Sequence, residues 1–170
     1  MNFFQFIFQD WHANKGNVKG RLFLLLFRIA NFCACGKVYF YIGLPYLIFY
    51  KIFVQWLFTL EIPWNVKIGK NLAIYHGQAL ILNKDVIIGE NCTLRHCTTI
   101  GVKQDLDGGS GNAPVLGNNV DVGNNVCVIG DILIGDNVKI GSGSVVVKSI
   151  TANCIVAGNP AVVKRVINSI

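Results

Sequence analysis

From residue 66 to residue 148 an aliphatic side chain, followed by Gly or a small polar residue, returns every six positions. The anchors are Ile68, Ile74 and Leu80, then Ile88, Leu94 and Ile100, then Leu116, Val122 and Val128, then Ile134, Ile140 and Val146. Within each triplet the step is six, and between triplets it is eight, sixteen and six. A short internal period is the mark of a solenoid, and a period of six predicts a parallel β-helix. Three hexads close one triangular coil, so the twelve anchors predict about four stacked coils with extra residues at two corners. Every sixth side chain then points inward and stacks on its equivalent about 4.8 Å along the axis. Each such aliphatic is worth about 1.5–3 kcal/mol when buried. Gly and Asn follow the anchors, as in Ile88-Gly89-Glu90-Asn91 and Ile134-Gly135-Asp136-Asn137, because tight corners need backbone that other residues resist. The fourth residue after an anchor is often small or β-branched (Cys92, Thr98, Val126, Ser144), which suits a crowded interior corner.

The chain ahead of the repeats has a different texture. Residues 1–62 read as a helical, basic and apolar segment, and residues 63–170 as the β-helix with a loop over 101–115 and a C-terminal tail. Leu22 to Cys35 predicts a buried helix. Val38 to Leu60 is a second apolar run, interrupted by Pro45 and carrying Lys51 and Gln55. That run is long enough to span a bilayer, yet a central Lys and a Pro argue against spanning. Helices lying on a membrane surface and helices buried in an oligomer are the alternatives. Between Ile100 and Leu116 the chain detours through a Gly- and Asp-rich stretch, Gln104 to Asn112. Packing has no use for a long loop ejected from a regular solenoid, so a functional role is expected.

Composition sharpens this division. The chain has 170 residues, a hydrophobic content of 52% and a mean hydropathy of +0.48. Residues 1–70 hold eight basic side chains against Asp10 and Glu61, which accounts for the whole formal charge of +6. Residues 71–170 hold seven of each sign. Basic and apolar together point to an anionic membrane surface or a protein partner; a cytoplasmic location is expected, with attachment at the inner membrane face as one alternative. Nucleic acid is not expected, because no basic run is interleaved with stacking aromatics. The six cysteines form no CxxC pair and no zinc spacing, so they read as reduced thiols with no metal site. The apolar opening Phe3 to Phe8 is short and lacks a basic lead, so no cleavable signal peptide is expected.

Candidate chemistry rests on two histidines. His76 lies two after anchor Ile74 and His96 two after anchor Leu94, so the hexad phase stacks both imidazoles on one outer edge in adjacent coils. Asn124 and Ser142 hold the same slot in the next two coils. A hydrogen-bonded surface ladder is the competing explanation. Two imidazoles side by side disfavour double protonation, and a neutral imidazole is what takes a proton from a hydroxyl. Glu61, fifteen residues before His76, could reach its other ring nitrogen and set the tautomer. A solvated charge at a helix end is the alternative for Glu61.

Several stretches then come together: Lys19-Gly20-Arg21, Phe27-Arg28-Ile29, Tyr75-His76-Gly77, Thr98-Thr99-Ile100-Gly101, Gly141-Ser142-Gly143-Ser144-Val145-Val146 and Ala157-Gly158-Asn159-Pro160-Ala161. On these, over roughly residues 10–166, the chain resembles the left-handed β-helix hexapeptide acyltransferases. The likeness is to the serine acetyltransferase branch that includes colanic-acid and capsular-polysaccharide O-acetyltransferases. The resemblance implies acetyl-CoA as co-substrate, no metal, a homotrimer with sites between neighbouring β-helices, and direct attack of an acceptor hydroxyl on the thioester. It implies His76 as base, Glu61 as the carboxylate that orients it, and His96 beside them. It also implies Gly101, Asn124 and Ser142 along the coenzyme, with Lys148, Lys164 and Arg165 as candidates for its phosphates.

Departures from the family pattern bear on the acceptor. Serine acetyltransferases carry Asp just before the catalytic His, where this chain has Tyr75, and Arg-His-Pro at the end of the loop, where it reads Asn112-Ala113-Pro114. Asp10 keeps the position that reads the serine ammonium, so Asp10 and Tyr75 are the candidates for acceptor contact. Losing a charged partner from a polar site typically costs more than about 1.5 kcal/mol. A saccharide hydroxyl, as in surface polysaccharide synthesis, is therefore the expected acceptor, with L-serine the alternative. A zinc lyase on this fold would need three His ligands, and only two fall on the coils. A scaffold without catalysis is the remaining reading.

Overall fold

A computed structural model describes residues 2–104 and 111–167. Three helices come first: α1 (Phe3–Ile7), α2 (Val18–Cys33) and α3 (Lys37–Tyr50), the last running on as a π-helical stretch over Lys51–Leu57. Asn2 and Gln5 form a capping box on α1, and the Asn17 side chain accepts the Gly20 N–H to start α2. The strands that follow build three parallel sheets, one per side of a left-handed triangular β-helix of about five turns. The first side stacks β1 (Leu60–Glu61), β4 (Leu80–Leu82), β7 (Thr99–Gly101), β10 (Cys127–Ile129) and β13 (Val145–Val146). The second stacks β2 (Lys67–Ile68), β5 (Ile87–Ile88), β8 (Val115–Leu116) and β11 (Leu133–Ile134). The third stacks β3 (Ala73–Tyr75), β6 (Thr93–Arg95), β9 (Asp121–Val122), β12 (Lys139–Ile140) and β14 (Cys154–Gly158), closed by β15 (Ala161–Val166) running antiparallel to β14.

The inward column is the hexad column. Ile74, Leu94, Val122, Ile140 and Val156 are all buried, and their neighbours in the strands point out. At one corner Asn71, Asn91, Asn119, Asn137 and Asn153 all take positive φ. Their amides bond along the axis, Asn71 to Asn91, Asn119 to Asn137 and Asn137 to Asn153, at 2.8–3.0 Å. That ladder is why Asn recurs three after the anchor: it tolerates left-handed backbone and bonds its own kind one rung away.

The pairing register corrects one anchor. Ile81 pairs with Thr99 and Leu82 with Ile100, so Leu82, not Leu80, is the third inward residue of the first coil. Leu80 is also fully buried, beside Leu60. Two buried leucines two apart in one strand look alike to a hydrophobicity count. The consequence is a relocation. The two extra residues of the first coil lie between Ile74 and Leu82, in the turn that carries His76, and not between residues 80 and 88.

The helices close the open end of the solenoid. Phe23, Leu24, Phe27 and Ala30 of α2 and Leu47, Tyr50 and Val54 beyond it join Leu60, Ile62, Val66 and Leu72 in one continuous core. The first coil would otherwise show a row of unpaired backbone groups. Asn14 donates to Leu72 O and accepts from Ile74 N, and Asn17 donates to Ile74 O. Arg28 donates to Ile68 O and Gly69 O, Asn31 to Trp64 O, and Tyr50 Oη to Ile62 O. Gly20 lets α2 approach: a Cβ there would stand 2.7 Å from Ile74 O.

Asp10 belongs to this cap, which corrects its expected role. Its carboxylate takes Arg28 Nε at 2.7 Å, Arg28 Nη2 at 3.2 Å and Leu72 N at 2.9 Å, with both side chains almost wholly buried. No oxygen of Asp10 faces solvent to meet an acceptor.

The detour after Ile100 is described only at its ends. Gly111 N–H donates to Lys103 O and the Asn112 side chain to Asp131. The remainder of the expected functional loop, residues 105–110, lies outside the described residues.

Candidate active site

The two imidazoles meet. The Tyr75–Arg95 pairing of β3 and β6 puts the next residues, His76 and His96, on neighbouring rungs of one corner. Their ring centroids are 5.4 Å apart and the planes stand at 83°, edge to face. The ladder continues as expected. Asn125 N–H donates to His96 O, Gly143 N–H to Asn124 O, and Ser142 Oγ to Asn124 Oδ1 at 2.6 Å. At about 4.8 Å per rung, Ser142 lies about 14 Å from His76 along the axis.

The rung of His76 differs from the others. In later coils the corner residue after the strand supplies the backbone acceptor, but here Cys97 N–H donates to Gln78 O. Gln78 takes the regular place and His76-Gly77 bulges out ahead of it. His76, Gly77 and Ala79 all have positive φ, at 68°, 72° and 51°. For a His and an Ala that backbone is uncommon and persists where surroundings hold it. The holders are visible: Gln78, with its amide turned to satisfy both ends, donates to His76 O at 3.0 Å and accepts from Lys19 Nζ at 2.8 Å. Ala79 N–H donates to Thr59 O. Sequence reasoning missed Lys19 and Gln78 in this role. The eight-residue step was the available signal, read one strand too late.

The two rings differ in setting. His76 is exposed, whereas His96 is half-buried and its Nδ1 is a fully buried nitrogen with no partner. An unpaired buried ring nitrogen is costly and calls for an explanation. Glu61 sits on β1 beside Ile81, exposed, on the side of the β-helix that starts at this corner. No hydrogen bond or ion pair joins Glu61 to His76, so the expected orienting contact is not formed in the isolated chain.

Tyr75 points outward from the same rung, with the Arg95 guanidinium 5.8 Å from its ring centroid. Arg95 is itself held by Asp121 and Val122 O. Tyr75, His12, Ala73, Asn71, Asn91 and Thr93 line a depression of about 360 Å³ on the outer face of the third sheet, between Tyr75 and the asparagine corner. His12 and Arg95 are thus neighbours of Tyr75 that the sequence did not single out; nothing in the local pattern of residues 10–17 says which coil they face.

The residues expected along the coenzyme separate into two places. Asn124 and Ser142 stand on the imidazole corner. Lys164 and Arg165 lie exposed on β15, which continues the third sheet past the last coil; Arg165 pairs with Ile155, away from the imidazole corner, where β15 presents Ala161 and Val162. Gly101 ends β7 and bonds to Gly130 N–H at the next corner round, across one sheet from the imidazoles. Lys148, exposed beyond β13, is on that second corner as well. Among the described residues no three His, Cys, Asp or Glu side chains gather as a metal site would require.

No protein-family profile matches the chain. Individual relatives do. The "Putative colanic acid biosynthesis acetyltransferase WcaB" of Escherichia coli strain K12 is 35% identical over 162 residues, which is 92% of this chain and 97% of that protein. A serine acetyltransferase of Synechococcus elongatus is 36% identical over 100 residues, 59% of this chain and 40% of that protein. Among solved structures, soybean serine acetyltransferase superposes with a TM-score of 0.79 at 23% identity, covering 95% of this chain and 68% of that one. Serine acetyltransferase from Brucella abortus in complex with coenzyme A gives 0.80 at 21% identity, covering 98% and 69%.

Proposed function

The chain belongs to the serine acetyltransferase-like hexapeptide-repeat acyltransferases, and from that premise we propose that it moves an acetyl group from acetyl-CoA to a saccharide hydroxyl. The observation that carries the reading is the pair of imidazoles on the bulged rung, 5.4 Å apart at the head of a polar ladder. In the proposed step a ring nitrogen of His76 takes the acceptor hydroxyl proton as the oxygen attacks the thioester carbonyl. The carbon–sulfur bond then breaks, and the coenzyme thiolate takes the proton back from the imidazolium. A general base of this kind is worth about 10²–10⁴ in rate.

The other roles follow from position. His96 packs edge to face against His76 and positions it. Glu61, on the neighbouring side, supplies a carboxylate that steadies the imidazolium electrostatically. Asn124 and Ser142 line the pantetheine arm, Gly101 and Lys148 the opposite corner, and Lys164 and Arg165 meet the coenzyme's phosphates. Tyr75 and the depression beside it take the acceptor. A homotrimer, with each site in the groove between two β-helices, is part of the same proposal, as is a cytoplasmic location where acetyl-CoA is supplied.

A saccharide is favoured over L-serine on three counts. Asp10, the carboxylate that would read an ammonium, is consumed by Arg28. Tyr75 stands where a second carboxylate would be needed, and the relative with the fuller coverage carries a polysaccharide name. The serine reading keeps support from the Synechococcus relative. Incubating the protein with acetyl-CoA and a panel of glycans plus L-serine, while following free thiol release, separates them. Glycan-dependent release supports the proposal; release with L-serine alone would transfer it to the second reading, and none with any acceptor would remove both.

A further inference from the structure

We propose that the outer face of α3 and its π-helical continuation lies in the interface of an anionic membrane, holding the enzyme there without crossing it. This goes beyond the acetyl-transfer reading and does not depend on it. The 21 residues Lys37–Leu57 form a rod apolar enough to span a bilayer, yet only 17% of its most apolar window is buried. Tyr41, Ile42, Ile48, Phe53, Trp56 and Leu57 all stand exposed, three of them by two thirds or more. A helix apolar nearly all round that is left open to water has a missing apolar neighbour.

The face is also broader than one helix. Phe3 of α1 touches Phe32, at 4.8 Å between centroids, and Phe32 touches Tyr39, at 5.3 Å. The patch therefore runs unbroken from α1 across the end of α2 to α3. Its aromatic composition suits the depth where lipid tails meet headgroups.

Charge chooses the occupant. No Asp or Glu occurs between residues 37 and 57, while Lys37 and Lys51 are both exposed. They are fourteen residues apart, close to four helical turns, so they share one flank beside the apolar face. Of the two acids in the first 70 residues, Asp10 is neutralised inside the fold by Arg28. A second copy seated face to face on this rod would bring lysine toward lysine with no acid to answer it. A surface of anionic headgroups answers both the charge and the apolar area.

Spanning is ruled out by the inner flank. Leu47, Tyr50 and Val54 are buried in the common core. Tyr46 Oη donates to Leu26 O, and both Tyr50 Oη and Gln55 donate to Ile62 O. A rod tied from Tyr46 to Gln55 to α2 and the first coil cannot be ringed by lipid. It lies flat.

The test is co-sedimentation of the full chain with vesicles of phosphatidylcholine alone and of phosphatidylcholine with phosphatidylglycerol. Binding to the anionic vesicles, weakened by salt, is expected. Each lysine changed to Gln at positions 37 and 51 should lower partitioning about fivefold, and Phe53→Asp should abolish it with the sedimentation mass of the free protein unchanged. The lysine variants touch no buried group, so they report even where Phe53→Asp folds poorly. Failure to bind either vesicle, or equal binding to both, overturns the proposal. So does a Phe53→Asp protein that loses its assembly but still binds lipid, which would make this face an interface between copies.

Discussion

Asp10→Asn is the sharpest perturbation the fold offers. The carboxylate holds both Nε and Nη2 of Arg28 and the Leu72 N–H, and neither charged group sees solvent. Asparagine preserves the shape and can still accept from one donor, but it leaves the guanidinium enclosed without its counter-charge. Removing one partner of a buried ion pair costs about 3–5 kcal/mol. For a chain of this length each kcal/mol moves the melting temperature by about 2–4 °C, so a loss on the order of 10 °C is expected. Arg28→Met should do the same, since it also strips the donors from Ile68 O and Gly69 O. The double variant should recover part of the loss, because a buried pair removed whole costs less than a pair broken. Thermal unfolding followed by circular dichroism measures all three, and acceptor KM measured well below the transition should match the unaltered protein. A variant that melts normally but binds its acceptor poorly would refute the cap assignment and return Asp10 to the site.

Other expectations are more direct. His76→Ala should lower turnover by about 10²–10⁴ with an unchanged melting curve, and His96→Ala should lose less; the reverse order, from steady-state rates, would exchange their roles. Replacing Lys164 and Arg165 together with Gln should raise the KM for acetyl-CoA and flatten its salt dependence while leaving acceptor KM alone. Tyr50 is buried, and burial pushes its phenol above the ordinary value of about 10. The unfolded chain then ionises first, so stability present below about pH 10 is lost as pH rises past it. Tyr50→Phe should remove that contribution to the alkaline fall in melting temperature, at a cost of about 1 kcal/mol near neutrality for the lost bond to Ile62 O.

Most of the β-helix was legible because its period is enforced by the core. One residue per hexad must be apolar, and Ile74, Leu94, Val122 and Ile140 obey. The imidazole pair was legible for the same reason, since phase alone puts residues 76 and 96 on one corner. Leu80 against Leu82 was not, because alternation inside a strand has its own period of two. The settings of Asp10 and Glu61 were not legible for a different cause: whether a carboxylate faces solvent, Arg28 or an imidazole depends on how α2 docks, and no local pattern encodes docking. Gln78 and Lys19 fall under the same limit, as partners 59 positions apart.

The bulge at His76-Gly77 carries a last consequence. A staircase of identical steps offers a substrate no address, because any binding mode can slide by one step at no cost. Two surplus residues at a single step destroy that equivalence, and His76, the proposed base, occupies the step so marked. Shortening this turn by two residues would give the corner the even spacing of its later steps and erase that address.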